Sequence, residues 1–263
     1  MSIKAHIDNW ISKADPDYYV MFIKAWIPLN AWYFSEYATT KDSVALEKIK
    51  NTKNKVRNRI QALLDNEKDL DSRDFRFRLA QLHEELEKRS ITNYGKKISF
   101  KSVVIDGVIP APATDTDKRG TIYKAIPNKN TGYRAVIIDK SSKTLMDKTF
   151  NPYDFKAFLT DNQYITLDAK NKEKIKKCFQ LIDPNKGTDF ISTSRVKSDY
   201  IELDAHAKIR FNNDTELIAK GLVQILYELR CLLFHGLLDP TQINQPIYEH
   251  AFFILKHIIK ELK

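Results

Sequence analysis

The sequence predicts a mainly helical α+β protein, a discontinuous bundle whose helices are interrupted by a mixed α/β segment. Three observations predict it. Apolar residues recur at three- and four-residue spacing through residues 1–94 and again through 213–263, as in amphipathic helices. Over 95–212 the pattern changes to short runs punctuated by Pro, Gly, Asn and Asp, as in strands and turns. Apolar residues make up 43% of the 263 positions and aromatics 11%, enough for a sizeable core.

The elements follow in order. Asp15-Pro16-Asp17 starts a first helix with an aromatic stripe of Tyr19, Phe22, Ile23, Trp26, Tyr33 and Tyr37, and Pro28 is expected to kink it. Trp26 and Trp32 are expected in the core rather than stacked on bases, since large aromatics at helical spacing fill cores. A second helix is expected over 42–64. Its stripe is Ile49, Val56, Ile60 and Leu63, with Lys48, Lys50, Lys53, Lys55, Arg57 and Arg59 around it, expected as a solvated surface, with a secondary RNA contact as the alternative. After an acidic linker at 65–71, Asp71 or Ser72 is expected to cap a third helix carrying Phe75, Leu79, Leu82 and Leu86.

The middle opens with an expected strand at 98–105 closed by Asp106-Gly107, then a loop marked by Pro110, Pro112, Asp115 and Asp117. Strands are expected at 121–126, 133–139 and 144–150, the last two forming a hairpin around Lys140-Ser141-Ser142-Lys143. Asn151-Pro152-Tyr153-Asp154 leads into a short helix reaching Leu159. Another helix is expected over 172–182, and strand character over 200–203. The final helix begins near Gln245, with Pro246 in its first turn and a stripe of Ile247, Ala251, Ile254, Ile258 and Leu262.

Composition narrows the chemistry. With 7 glycines and neither GxGxxG nor GxxxxGK[ST], a glycine-rich phosphate loop is not expected. Cys178 and Cys231 lack metal-ligand spacing and do not suggest a disulfide scaffold. No cofactor or metal is expected: His83-Glu84-Glu85 lacks the second histidine of HExxH, and His250 and His257 align on one helix without further ligands. No apolar run reaches the roughly 20 residues of a membrane span. Residues 1–10 carry His6 and Asp8 and no signal-peptide core, so a cytoplasmic protein with no membrane partner is expected. The formal charge is +9, and 95–210 holds 22 Lys or Arg against 14 Asp or Glu. Either this middle segment contacts RNA, at Lys172, Lys174, Lys176 and Lys177, since a basic face attracts phosphates, or it is a lysine-rich solvated surface interspersed with acids. A rival site for a metal nuclease would use Asp139, Asp147, Asp154 and Lys156 near the hairpin.

The chain's chemistry concentrates at the end of its fourth long helix. The apolar stripe Ile218, Leu222, Ile225, Leu229 and Leu232 runs into Leu233-Phe234-His235-Gly236, with Asp239-Pro240 beyond. Arg230 sits within this apolar run and needs a partner, because an unpaired buried charge is costly. His235 sits at the end. Five residues separate the two by roughly 140° on an ideal helix, so they converge only if the last turn loosens or two copies meet.

Arg230, four residues, His235 and Gly236, shortly before a final helix, resemble the RxxxxH motif of the HEPN superfamily. The resemblance covers the flanking helices and the N-terminal helices, not the middle. It implies a metal-independent endoribonuclease acting as a homodimer on RNA, in a toxin–antitoxin or antiviral setting where a neutralising or sensor protein is a partner. Arg230 and His235 are the implied catalytic residues; Tyr227 and Glu228, close by on the same helix, are candidates to orient them. Active members commonly carry a polar residue after the arginine, and here that position is Cys231. The alternative is a non-catalytic module of the same fold that binds RNA, a nucleotide or a protein.

Overall fold

A computed structural model describes residues 6, 7, 11, 14–105, 107, 109–128 and 130–262. Asp106 and most of residues 1–10 lie outside these. The chain divides into two compact units, Met1–Ile105 with Gly187–Lys263, and Asp106–Lys186. The middle unit is thus narrower than 95–212: both flanks of that stretch belong with the helices.

In the first unit, α1 (Tyr18–Tyr37) begins at Asp17, whose carboxylate accepts the backbone N–H groups of Tyr19 and Val20. It runs through Pro28 as one helix. The expected second helix is two, α2 (Asp42–Asn51) and α3 (Lys55–Asp65). The break comes from side chains that compete for the backbone. Thr52 Oγ1 donates to Lys48 O at 2.8 Å, and Asn54 donates to Ile49 O while its own oxygen caps α3 at Arg57 N. Lys50 and Arg57, expected in solvent, are 4% and 5% exposed. Both are pulled inward by polar partners on a later helix, Lys50 by Gln224 at 2.6 Å and Arg57 by Glu216 at 2.9 Å.

Helix α4 (Leu70–Arg89) starts two or three residues earlier than expected, because Asp69 rather than Asp71 or Ser72 is the cap and accepts from Ser72 N. The short strands β1 (Thr92–Asn93) and β2 (Lys96–Lys97) pair with each other. The strand expected at 98–105 is an irregular buried segment: Val103 makes a single bridge to Thr188, too little pairing for a ladder. Its Phe100 packs with Phe190, Phe211 and His83. The hairpin β7 (Tyr200–Asp204) and β8 (Ile209–Asn212) precedes α8 (Thr215–Phe234) and α9 (Gln245–Ile259). Helix α9 lies against α1 through Tyr248, whose ring meets Tyr19 and Phe22 and whose hydroxyl donates to Leu229 O of α8.

In the second unit, β3 (Ala113–Thr116), β4 (Ile122–Asn128), β5 (Gly132–Ile138) and β6 (Thr144–Phe150) form an antiparallel meander in that order. Asp115, expected in a loop, is in β3 and pairs with Tyr123: the loop signal of Pro110 and Pro112 ends before Ala113. Helices α5 (Phe155–Thr160), α6 (Asn162–Ile165) and α7 (Ala169–Leu181) cover one sheet face. Phe158 and Phe179 stack at 4.3 Å in that core. Among the described residues, no helix is long and apolar enough to cross a membrane.

Candidate functional site

The frame of the site is α8. Asp214 caps it by accepting from Leu217 N, and Ile218, Leu222, Ile225, Leu229 and Leu232 are all buried. Gly221 lets the helix approach Phe190: a Cβ there would stand 2.4 Å from the ring. The helix ends in a Schellman motif, with Leu237 N donating to Leu232 O at 2.9 Å and Gly236 N to Leu233 O at 3.3 Å. Gly236 takes the left-handed conformation this requires, φ 61°. The ending leaves His235 exposed on the last residue before the turn, with no ring partner among the described residues.

Arg230 is 17% exposed and has the partner it needs: its Nη2 lies 3.0 Å from Asp42 Oδ2 at the start of α2. Asp42 is itself held. Its Oδ1 accepts from Tyr33 Oη at 2.7 Å and from Asn30 Nδ2 at 3.2 Å, and Asn30 also donates to the Tyr33 hydroxyl. Burial, then the hydrogen bond to Asp42, raises the Tyr33 phenol above its ordinary range. The Arg230 guanidinium also stacks over Phe234, 4.2 Å from its centroid. Its Nε is buried without a hydrogen-bond acceptor. The guanidinium is therefore fixed in direction by two elements, α1 and α2, that are remote in sequence.

Tyr227 is half-buried and stacked on Trp26, and burial, with Cys231 beside it, pushes its phenol up to about 12. Cys231, at the position where the resemblance departs, is 7% exposed and faces this core side. Glu228 points elsewhere: Gln224 Nε2 donates to it at 3.1 Å, and Gln224 in turn accepts from Lys50 at the far end of α2. The helix ties Tyr227 to Arg230's surroundings and Glu228 to the Lys50 network. The sequence marks Tyr33 only as part of an aromatic stripe and does not mark Asp42 or Asn30 as site residues; the need for an arginine partner is legible in it, the partner's identity is not.

The other sequence candidates are placed as follows. Lys174 and Lys177 are ion-paired, to Asp115 and Glu173, each at 2.6 Å, while Lys172 and Lys176 are half-buried with no ion-paired carboxylate among the described residues. The rival acids are each committed: Asp139 to its own turn, Asp147 to Arg134, Asp154 as the cap of α5. Lys156 is exposed. His257 Nε2 meets Asp74 at 2.7 Å and His250 Nδ1 lies 3.4 Å from Arg78. Among the described residues no three His, Cys, Asp or Glu side chains converge as a metal site. No model of a known protein family matches the chain, and neither a curated protein nor a solved structure matches it.

Proposed function

We propose that the chain is an HEPN-like, metal-independent endoribonuclease, a toxin or antiviral effector that cuts RNA by attack of the ribose 2′-OH. The supporting observation is that an anchored arginine and an exposed histidine occupy the end of one helix: Arg230 is locked by Asp42 and Phe234, while His235 is exposed with no ring partner among the described residues. Cleavage needs the 2′ oxygen deprotonated, the leaving oxygen protonated and charge on the phosphoryl group offset. An imidazole can both accept and donate a proton, and this is the role given to His235. Arg230 supplies the phosphate-facing cation. One copy holds one such histidine, so acid and base come from two copies. Phe234 and Leu237, half exposed on either side of His235, offer apolar surface for a homodimer.

The test is incubation of wild type and His235→Ala with total RNA in chelator. Wild type should release fragments ending in 2′,3′-cyclic phosphate or 3′-phosphate, and His235→Ala should release none while unfolding at the same denaturant concentration. A 2′-deoxy residue at the cut site should block cleavage. A folded His235→Ala protein that cuts as fast as wild type makes the assignment wrong.

One observation favours the non-catalytic alternative. Asp42 already answers the Arg230 charge and is itself held by Tyr33 and Asn30, as in a structural pair. Its signature is RNA bound by wild type and left uncut.

A further inference from the structure

The second unit carries an unassigned cationic surface. Because β3 to β6 form a meander, the β3–β4 and β5–β6 turns lie at the same end of the sheet. The ladder pairs Thr116 with Ile122, Ile122 with Ile138, and Ile138 with Thr144 there. The turns abut: a Cβ on Gly120 would stand 3.6 Å from Lys140 Cβ.

The two turns share one design. Asp117 Oδ1 accepts from Arg119 N and Thr121 N, at 2.9 and 3.0 Å. Asp139 Oδ1 accepts from Ser141 N and Lys143 N, at 2.8 and 2.9 Å. In each, the fourth residue is left-handed, Gly120 at φ 84° and Ser142 at φ 65°. The design uses each turn's acid on its own backbone and leaves its cations outside. Lys118, Arg119, Lys140 and Lys143 are exposed, and none is in ion-pair contact with a carboxylate of the described residues. The neighbouring acids are already engaged: Asp117 also takes Lys170, Asp115 takes Lys174, and Asp168 caps α7. Lys170 in turn holds the Asp117 carboxyl down at about 2.

We propose that this double turn is the RNA-backbone contact of the middle unit. The proposal rests on the RNA part of the function above and not on cleavage. The turn centres are two strand spacings apart, about 10 Å. Four long cationic side chains over that distance suit a row of phosphates. Asp117-Lys118-Arg119-Gly120-Thr121 and Asp139-Lys140-Ser141-Ser142-Lys143 contain no aromatic on which a base could stack. The contact therefore reads backbone, and the fitting partner is duplex or folded RNA rather than splayed single-strand bases.

The test uses the full chain carrying His235→Ala, so that nothing is cut, with a labelled short RNA duplex and anisotropy read from about 50 to about 200 mM salt. Lys118→Gln, Arg119→Gln, Lys140→Gln and Lys143→Gln together should weaken binding about tenfold or more and flatten the salt slope by about 3. The control removes three other cations of the same unit, Lys124→Gln, Lys156→Gln and Lys186→Gln, none of them ion-paired to a carboxylate of the described residues. It should retain most of the affinity. An unchanged slope in the turn variant, an equal loss in the control, or no duplex binding by the parent overturns the proposal. A parent that binds duplex while the His235 chain cuts nothing supports the contact and removes the nuclease.

Discussion

The Asp42–Arg230 pair yields a number. Breaking a fully buried ion pair from one side costs about 3–5 kcal/mol, whereas an exposed pair contributes about 0–1. Here the two side chains are 20% and 17% exposed, closer to the buried case. Asp42→Ala also strips an acceptor from Tyr33 and Asn30 and leaves the guanidinium with its already unpartnered Nε. About 3 kcal/mol of destabilisation is expected. Arg230→Met keeps much of the apolar stem and leaves Asp42 two donors, so about 1–2 kcal/mol is expected. The double variant should fall short of the sum by about 1.5 kcal/mol, the coupling of the pair. Urea unfolding of the four proteins, followed by far-ultraviolet circular dichroism, measures it. Additive single effects would show that the pair contributes nothing and that Arg230 is not held by Asp42.

Further outcomes follow from buried groups. His250, 9% exposed, is pressed from 6.5 down to about 4 chiefly by burial, with Arg78 and Arg89 adding to it and Glu249 opposing. The unfolded chain therefore takes up the proton first: stability is whole above about pH 6.5 and falls as pH drops towards 4, by about 3 kcal/mol at most. His250→Gln should flatten that stretch of the stability–pH curve, and a curve identical to wild type refutes the assignment. Gly221→Ala should destabilise by about 1–3 kcal/mol despite alanine's better helix propensity, because its Cβ meets Phe190. Adding Phe190→Leu should recover part of that loss in the same unfolding measurement, and an Ala variant more stable than wild type sinks the steric account.

What could be read from the sequence was what repeats locally. The stripe of α8, its glycine ending and the β5–β6 hairpin each follow from spacing and turn chemistry within a few residues. The misses come where another element decides. Ile49 and Val56 are in phase, so periodicity runs straight across the Thr52–Asn54 break, where hydrogen bonds from Thr52 and Asn54 end one helix and start another. Lys50 and Arg57 look solvated until Gln224 and Glu216 arrive from α8. Apolar residues at 98–105 mark burial correctly but not pairing, because Thr188 supplies only one bridge. The candidate site divides the same way: Arg230 and His235 are visible as a local motif, while Asp42, Tyr33 and Asn30 are brought to it only by the fold.

That division bears on the proposed chemistry. A carboxylate 3.0 Å from Arg230 offsets charge the guanidinium would otherwise offer a phosphate. Tyr33 and Asn30 draw on one oxygen of Asp42, leaving the other for the arginine, so the cluster fixes Arg230's direction more than it adds positive potential. Within one copy, then, the site offers an oriented but partly neutralised cation and a single histidine. Proton removal and proton donation in one turnover call for two titrating groups. For this chain to cut RNA, the second proton carrier comes from a second copy meeting the first beside Phe234 and Leu237, whose Arg230 adds a second, likewise partly neutralised cation. Catalysis and self-association are accordingly one hypothesis: a stable monomer that cleaves at full rate is incompatible with both.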